Sequence, residues 1–266
     1  GMVAAPLLEP FFGVPWILNP LRLLFAFVLL LFPSTAMGLT LPLLARALVR
    51  ADSNFGRVLG RLYGWNTLGA VFGAILAELF LVEALGIRGA AFAAGSMNLL
   101  AATGALLAMW SFRGQLAGDR PAGVPNLQWT SATRWLAAAF LSGFALLALE
   151  VVWFRFLLLY VIGSSMSFSV MLAVVLSGIA LGGLFASVWL RMNPNAFRYS
   201  MAVSFAAGVL CTACYGLFPR IVEPFGQQAL RGLFEVLLVS IPLMFPVSFL
   251  SGVFFTLVGT ALRKSC

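Results

Sequence analysis

The sequence predicts an all-α integral membrane protein with about seven transmembrane helices. Of its 266 residues, 62% are hydrophobic and only 9% are charged, so too few polar side chains remain to cover a water-soluble surface. The apolar residues also form long runs. Seven of these runs meet or approach the ~20 residues that a helix needs to cross a bilayer core.

The predicted spans follow one another through short separators. They cover residues 22–46, 62–83, 88–111, 135–161, 165–190, 199–218 and 232–262. Only the segment 112–134 has the glycine, proline and polar content of a linker. The chain is therefore expected to contain a three-helix part, 1–111, a cytoplasmic linker, 112–134, and a four-helix part, 135–266, without a soluble catalytic domain.

The basic residues predict the orientation of these helices. The chain has 16 Lys and Arg, most of which lie in alternate gaps between the spans. They are Arg46, Arg50, Arg57, Arg61, Arg113, Arg120, Arg134, Arg191, Arg198, Arg263 and Lys264. The complementary gaps contain only Arg22, Arg88, Arg220 and Arg231. Because basic residues concentrate on the cytoplasmic side, the N-terminus is expected outside and the C-terminus in the cytoplasm.

Composition also excludes several kinds of site. The net charge of +8 is spread over the ends of the spans and forms no basic patch, so nucleic acid is not an expected partner. The sequence has no histidine, which excludes histidine-dependent triads, histidine-ligated haem and the usual zinc sites. Cys211 and Cys214 lie in an apolar run and are interpreted as small packing residues. We expect no metal and no cofactor.

The first and last spans are similar to each other. Residues 21–48 and 230–262 both open with Leu-Arg, both contain Phe-Pro at mid-depth, and both run from a glycine to Ala-Leu over the same spacing. This similarity indicates a repeat of six helices, in which the first span corresponds to the seventh. The alternative is chance similarity between two apolar helices.

Three stretches resemble a known family. They are FPSTAMGLTLPLLARALV (32–49), FGRVLGRLYGWNTLGAVFGA (55–74) and FLSGFALLALEVVWFRFLL (140–158). They look like the membrane region of fused major facilitator/spermidine synthase proteins of bacteria. That resemblance implies a bundle of two six-helix halves in the bacterial inner membrane, followed by a soluble aminopropyltransferase-like domain. It also implies that the spans of this chain correspond to the fourth to tenth helices of such a bundle.

The chain departs from that family in what it lacks. The first three helices of the family are not found before the first span, and no glycine-rich nucleotide-binding unit follows the last one. No acidic cluster suited to a polyamine is present either. We therefore expect no enzymatic activity from these residues.

Ionisable residues within the spans are the candidate functional sites. Glu150 lies near the middle of the fourth span and Arg155 lies further toward its outer side. Being five residues apart, they point about 140° from each other around a helix, so each is expected to find its partner on another helix. The functional interpretation is a substrate or proton site, and the structural one is an interhelical salt bridge. Asn66 and Glu78 are further candidates, Asn66 alternatively as a hydrogen-bonding contact between helices and Glu78 as the lining of a cavity for a cation.

Small residues and prolines predict how the helices pack. Gly69 with Gly73 and Gly178 with Gly182 have the four-residue spacing that lets helix backbones approach closely. Pro33 and Pro246 lie within spans, where each removes a backbone hydrogen bond and permits a kink.

Three functional hypotheses remain open. The first is a multi-pass protein of facilitator-like ancestry that takes part in transport or handles a small cation. The second is a non-catalytic membrane subunit or anchor that packs against other chains of a larger complex. The third is an anchor for a separate aminopropyltransferase. The expected partners are the lipid bilayer and other membrane subunits or a further part of the same polypeptide.

Overall fold

A computed structural model describes residues 15–49, 55–111, 129–225, 230 and 232–265. In these residues nearly all of the chain is helical, and no strand occurs apart from one isolated bridge between Val161 and Leu230. The prediction of an all-α protein is therefore confirmed.

The helices agree with the apolar runs of the sequence. They are α1 Pro15–Val49, α2 Phe55–Leu76, α3 Glu83–Ser111, α4 Trp129–Leu157, α5 Ser165–Met192, α6 Ser200–Val222 and α7 Leu233–Ser265. A π-helical turn, Ala77–Val82, joins α2 to α3, and short 3-10 turns, Ala196–Tyr199 and Glu223–Phe225, lie before and after α6.

Six helices of the described residues are long and apolar enough to cross a membrane, where the sequence predicts seven. The difference arises because the second and third predicted spans lie in one helical run of 53 residues, Phe55–Leu107. The run is interrupted at Gly86, whose φ of 67° and ψ of 177° are non-helical and belong to a region that essentially only glycine adopts.

The chain divides into two compact units, Gly1–Ser53 and Asn54–Cys266. In the first unit, α1 begins at Pro15, and proline is well tolerated there because the first N–H groups of a helix have no partner within it. The helix continues through Pro33, as α7 of the second unit continues through Pro246. The kinks expected at these two prolines stay predictions.

In the second unit α5 lies at the centre. It packs along α2 on one side and along α7 on the other, while α4 and α6 pack mainly against α7. Trp153, Leu157, Phe218, Val236 and Leu243 are completely buried at these contacts. The connection between α4 and α5 is held to the segment before α7, because Ile162 donates to the Leu230 carbonyl at 3.1 Å and Leu230 donates to the Tyr160 carbonyl at 2.9 Å.

Glycines bring the backbones of α5 and α7 into contact. A Cβ atom at Gly178 would lie 2.9 Å from the carbonyl oxygen of Phe245, and one at Gly182 would meet the carbonyl oxygen of Phe249. From the other helix, Gly252 faces the carbonyl oxygen of Ile179. No side chain fits between these backbones, so the two helices approach as closely as small residues permit.

The α2–α5 contact is of the same kind, but it uses different glycines from those expected. A Cβ atom at Gly60 would lie 2.6 Å from the carbonyl oxygen of Gly183. By contrast, Gly69 and Gly73 are exposed, and nothing in the described part of the chain lies within 4 Å of where their Cβ atoms would be. The packing predicted for that pair is not made within the described residues.

We expect the substitutions Gly182→Ala and Gly69→Ala to have opposite effects on stability. The new methyl group of Gly182→Ala meets the backbone of α7, so the helices must separate and the protein loses about 1–3 kcal/mol. In Gly69→Ala the methyl group enters open space, and the better helix propensity of alanine adds about 0.5–1 kcal/mol. Thermal unfolding of both variants in the same detergent measures this difference. Equal destabilisation by the two substitutions would contradict the assigned packing.

Candidate functional site

Four serines lie at the beginning of α5, in the sequence Ser164-Ser-Met-Ser-Phe-Ser169. Ser164 is the N-cap of the helix, and its hydroxyl accepts a hydrogen bond from the backbone N–H of Ser167 at 3.1 Å. The Ser167 hydroxyl in turn donates to the carbonyl of Ile162 at 3.0 Å. These two serines use their hydroxyls to fix the first turn of the helix.

The other two serines bind the carboxylate of Glu78. The Ser165 hydroxyl donates to Glu78 Oε1 at 2.6 Å, and the Ser169 hydroxyl donates to Glu78 Oε2 at 3.4 Å. Ser165 and Ser169 are four residues apart and therefore lie on one face of α5. The carboxylate is thus held by two hydroxyls of another helix. Ser165, which makes the shorter hydrogen bond, is 87 residues from Glu78 in the sequence.

Glu78 belongs to the π-helical turn between α2 and α3. Such turns are rare, and they occur frequently at functional sites. The site also lies at the N-terminus of the 28-residue helix α5, where the partial positive charge of the helix dipole favours a carboxylate.

A small cavity of about 100 Å³ adjoins the Glu78 side chain. The surface that lines this cavity is apolar. Besides Glu78, the lining residues are Ile75, Leu79, Met166, Ser169, Val170, Ala173, Leu233 and Leu237. The cavity is large enough to admit water or a small cation. Glu78 is thus among the residues that line a cavity, and its role in binding a cation stays a prediction.

Glu150 and Arg155 border a second, larger groove of about 860 Å³ between α4 and the beginning of α5. The remaining lining residues are apolar. They are Leu147, Val151, Phe154, Leu158 and Phe168. Neither Glu150 nor Arg155 forms a hydrogen bond or ion pair with any residue that the structure describes. The partner expected for each on another helix is not among the described residues.

The remaining candidate of the sequence analysis, Asn66, lies on the surface of the described chain. Asn66 is exposed on α2 and has no hydrogen-bond partner among the described residues. Glu83 and Arg88 are exposed on either side of Gly86. Among the described residues, no group of three or more Cys, Asp or Glu side chains comes together that could hold a metal ion.

The contribution of Ser165 and Ser169 was missed by sequence reasoning. The available signal was the concentration of serines at the start of an otherwise apolar span, four in six residues. A serine-rich first turn is ordinarily explained by helix capping. Only the fold shows that two of the four hydroxyls point to a carboxylate from another helix.

No family model, curated protein or solved structure matches this chain. The interpretation of both sites therefore depends on their geometry and chemistry.

Serine-to-alanine substitutions in α5 should destabilise the protein in a definite order. Ser165→Ala removes the shorter hydrogen bond to Glu78 and is expected to reduce the free energy of unfolding by about 1 kcal/mol. Ser169→Ala removes the longer bond and should have a smaller effect. Ser177→Ala is the matched control, since the Ser177 hydroxyl donates only to the Ala173 carbonyl of its own helix. Thermal unfolding checks the order, and a control variant as unstable as Ser165→Ala would contradict it.

Proposed function

We propose that this protein takes part in membrane transport and binds a small cation, H⁺ included, at Glu78. The observation that carries the proposal is the carboxylate of Glu78, held by two hydroxyls of another helix beside a small cavity. The groups that could bind the cation are oxygen atoms of Glu78, Ser165 and Ser169, which together carry one negative charge. Such a set of groups suits H⁺, a monovalent metal ion or a protonated amine. The single carboxylate suits a singly charged cation better than a polyamine.

The position of Glu78 in the bundle supports this proposal. If residues 1–111 end one repeat and residues 135–266 begin the next, then the contact of α2 with α5 and α7 is a contact between two halves of a transporter. Transporters of repeated architecture bind their substrates and coupling ions between such halves. Glu78 lies at one end of this contact, where it would receive a cation from the outer side.

We also propose that the chain crosses the membrane seven times. A helix of 53 residues at ~1.5 Å per residue is about 80 Å long, whereas the bilayer core is ~30 Å thick. The run Phe55–Leu107 therefore suits two crossings with Gly86 at the turn between them. The distribution of Arg then supports an outer N-terminus and a cytoplasmic C-terminus in a bacterial inner membrane.

Labelling of single cysteines tests the number of crossings. In a variant without Cys211, Cys214 and Cys266, we expect Ile87→Cys to react with a membrane-impermeant maleimide from outside the cell. Asn195→Cys, between α5 and α6, should react only after the membrane is opened. If Phe55–Leu107 crossed only once, residue 87 would be shielded by lipid and residue 195 would be reached from outside.

Flux through proteoliposomes tests the role of Glu78. The intact protein should move H⁺, followed with a trapped pH indicator, or methylammonium, the simplest protonated amine. Glu78→Gln removes the charge but keeps one oxygen that can accept from a serine hydroxyl, while its NH₂ group can donate to the other serine. The flux should therefore fall about tenfold or more while the protein remains folded. Glu83→Gln is the control, because Glu83 is exposed five residues further along.

Two outcomes would contradict the proposal. The first is a folded Glu78→Gln protein with unchanged flux, which would leave Glu78 a contact between helices and nothing more. The second is a wild-type protein that moves neither H⁺ nor methylammonium. In that case the mass of the native particle tests the second hypothesis, because a subunit of a larger membrane complex would be found in a particle heavier than the chain alone.

One observation favours the subunit hypothesis. Gly69 and Gly73 have the spacing of a helix-packing motif, yet both face open space in the described part of the chain. A further helix would fit closely against them, whether it comes from another subunit or from another part of the polypeptide. The described residues offer no comparable observation for an anchor of an aminopropyltransferase.

A further inference from the structure

The groove between α4 and the start of α5 has opposite charges at its two edges. Its four apolar residues at the end of α4 and directly after it, Leu147, Val151, Phe154 and Leu158, follow one another at spacings of four, three and four, and so form one face of the helix. Glu150 and Arg155 lie at the edges of this face, about 140° apart around the axis and about 7.5 Å apart along it. Val151 and Phe154 lie between them.

An aromatic contact forms the wall of the groove. Phe154 of α4 and Phe168 of α5 meet edge to face, with ring centroids 5.3 Å apart and an interplanar angle of 89°. This arrangement is favourable for two aromatic rings and joins the end of α4 to the start of α5. The middle of the groove is therefore apolar.

Each charged group still needs a partner in this setting. A charge inside a membrane span is unfavourable unless it is paired, and neither Glu150 nor Arg155 is paired with a described residue. A ligand with an ammonium group at one end, a carboxylate at the other and an apolar chain between them would pair both groups at once. Its chain would cover Val151 and Phe154.

We infer that this groove binds a zwitterionic amino-carboxylate, with its ammonium group at Glu150 and its carboxylate at Arg155. The binding site is separate from Glu78, and the inference does not depend on the function proposed for that residue.

The order of the charges favours a free ligand over a phospholipid headgroup. Arg155 is two residues from the end of α4, whereas Glu150 is seven residues from it and so lies about 7.5 Å deeper than Arg155. In phosphatidylethanolamine the ammonium is the outermost group and the phosphate is nearer the acyl chains. Such a lipid would place its ammonium at the level of Arg155 and its phosphate at the level of Glu150, which is the unfavourable pairing at both positions.

Binding of matched compounds to the intact protein in a non-ionic detergent tests the inference. The probes are ε-aminocaproate, which has both charges at the ends of a flexible chain, hexylamine with the positive charge alone, and caproate with the negative charge alone. We expect ε-aminocaproate to bind about tenfold or more tightly than either analogue, because it forms one more charge-assisted contact. β-Alanine, with the same groups on a shorter chain, should bind more weakly than ε-aminocaproate.

Two substitutions assign the ends of the ligand. In Glu150→Gln, the affinity for ε-aminocaproate should fall to that for caproate, and in Arg155→Gln it should fall to that for hexylamine. Glu83→Gln and Arg88→Gln are the matched controls. This pair has the same charges at the same spacing, and it lines neither the groove nor the cavity beside Glu78. If the groove variants do not fold, the four compounds on the wild-type protein decide the question.

Three results would overturn the inference. One is equal affinity of the wild-type protein for ε-aminocaproate and its singly charged analogues. Another is equal loss of affinity in the groove variants and in the controls. The third is ε-aminocaproate binding that is present in phosphatidylglycerol nanodiscs but lost when phosphatidylethanolamine is added, which would assign the groove to the lipid. If the protein binds ε-aminocaproate but moves neither H⁺ nor methylammonium, this inference stands and the function proposed for Glu78 is wrong.

Discussion

The close approach of the α5 backbone to α2 and α7 is the contact on which the rest of the described structure depends. In a bilayer there is no hydrophobic effect to drive one apolar helix against another, so association relies on van der Waals contact and on hydrogen bonds. Gly60, Gly178, Gly182 and Gly252 make that contact possible by leaving no side chain between the backbones. The three helices form a central layer, and α4 and α6 attach to it through α7.

Both candidate sites follow from this arrangement. Because α2 lies directly along α5, the turn after α2 comes level with the first turn of α5, and Glu78 meets Ser165 and Ser169. The weak packing of α4 on α5 has the opposite consequence. It leaves an open groove, lined by Glu150 and Arg155, in which no described residue pairs with either charge. One site is thus a contact between helices and the other is a gap between them.

Sequence reasoning predicted the helices well because apolar run length alone determines where they lie. It predicted their contacts less well, since a spacing motif does not identify its partner. Gly178 with Gly182 and Gly69 with Gly73 are identical patterns, yet only the first pair is packed within the described residues. Glu78 could be named as a candidate from its position in the second predicted span. Its two serine partners could not, because no periodicity connects residues 87 positions apart and a π-helical turn has no sequence signature.

The glycine contacts also limit how this sequence can diverge. Where a glycine faces a neighbouring side chain, as Gly259 faces Leu59, a larger residue can be accommodated if the neighbour becomes smaller. Gly182 and Gly252 instead face the carbonyl groups of Phe249 and Ile179, and backbone atoms are present whatever residue stands there. No second substitution can make room for a side chain at these two positions. We expect them to stay glycine in any descendant that keeps α5 and α7 together. At positions 259 and 59, by contrast, a larger first residue can be compensated by a smaller second one.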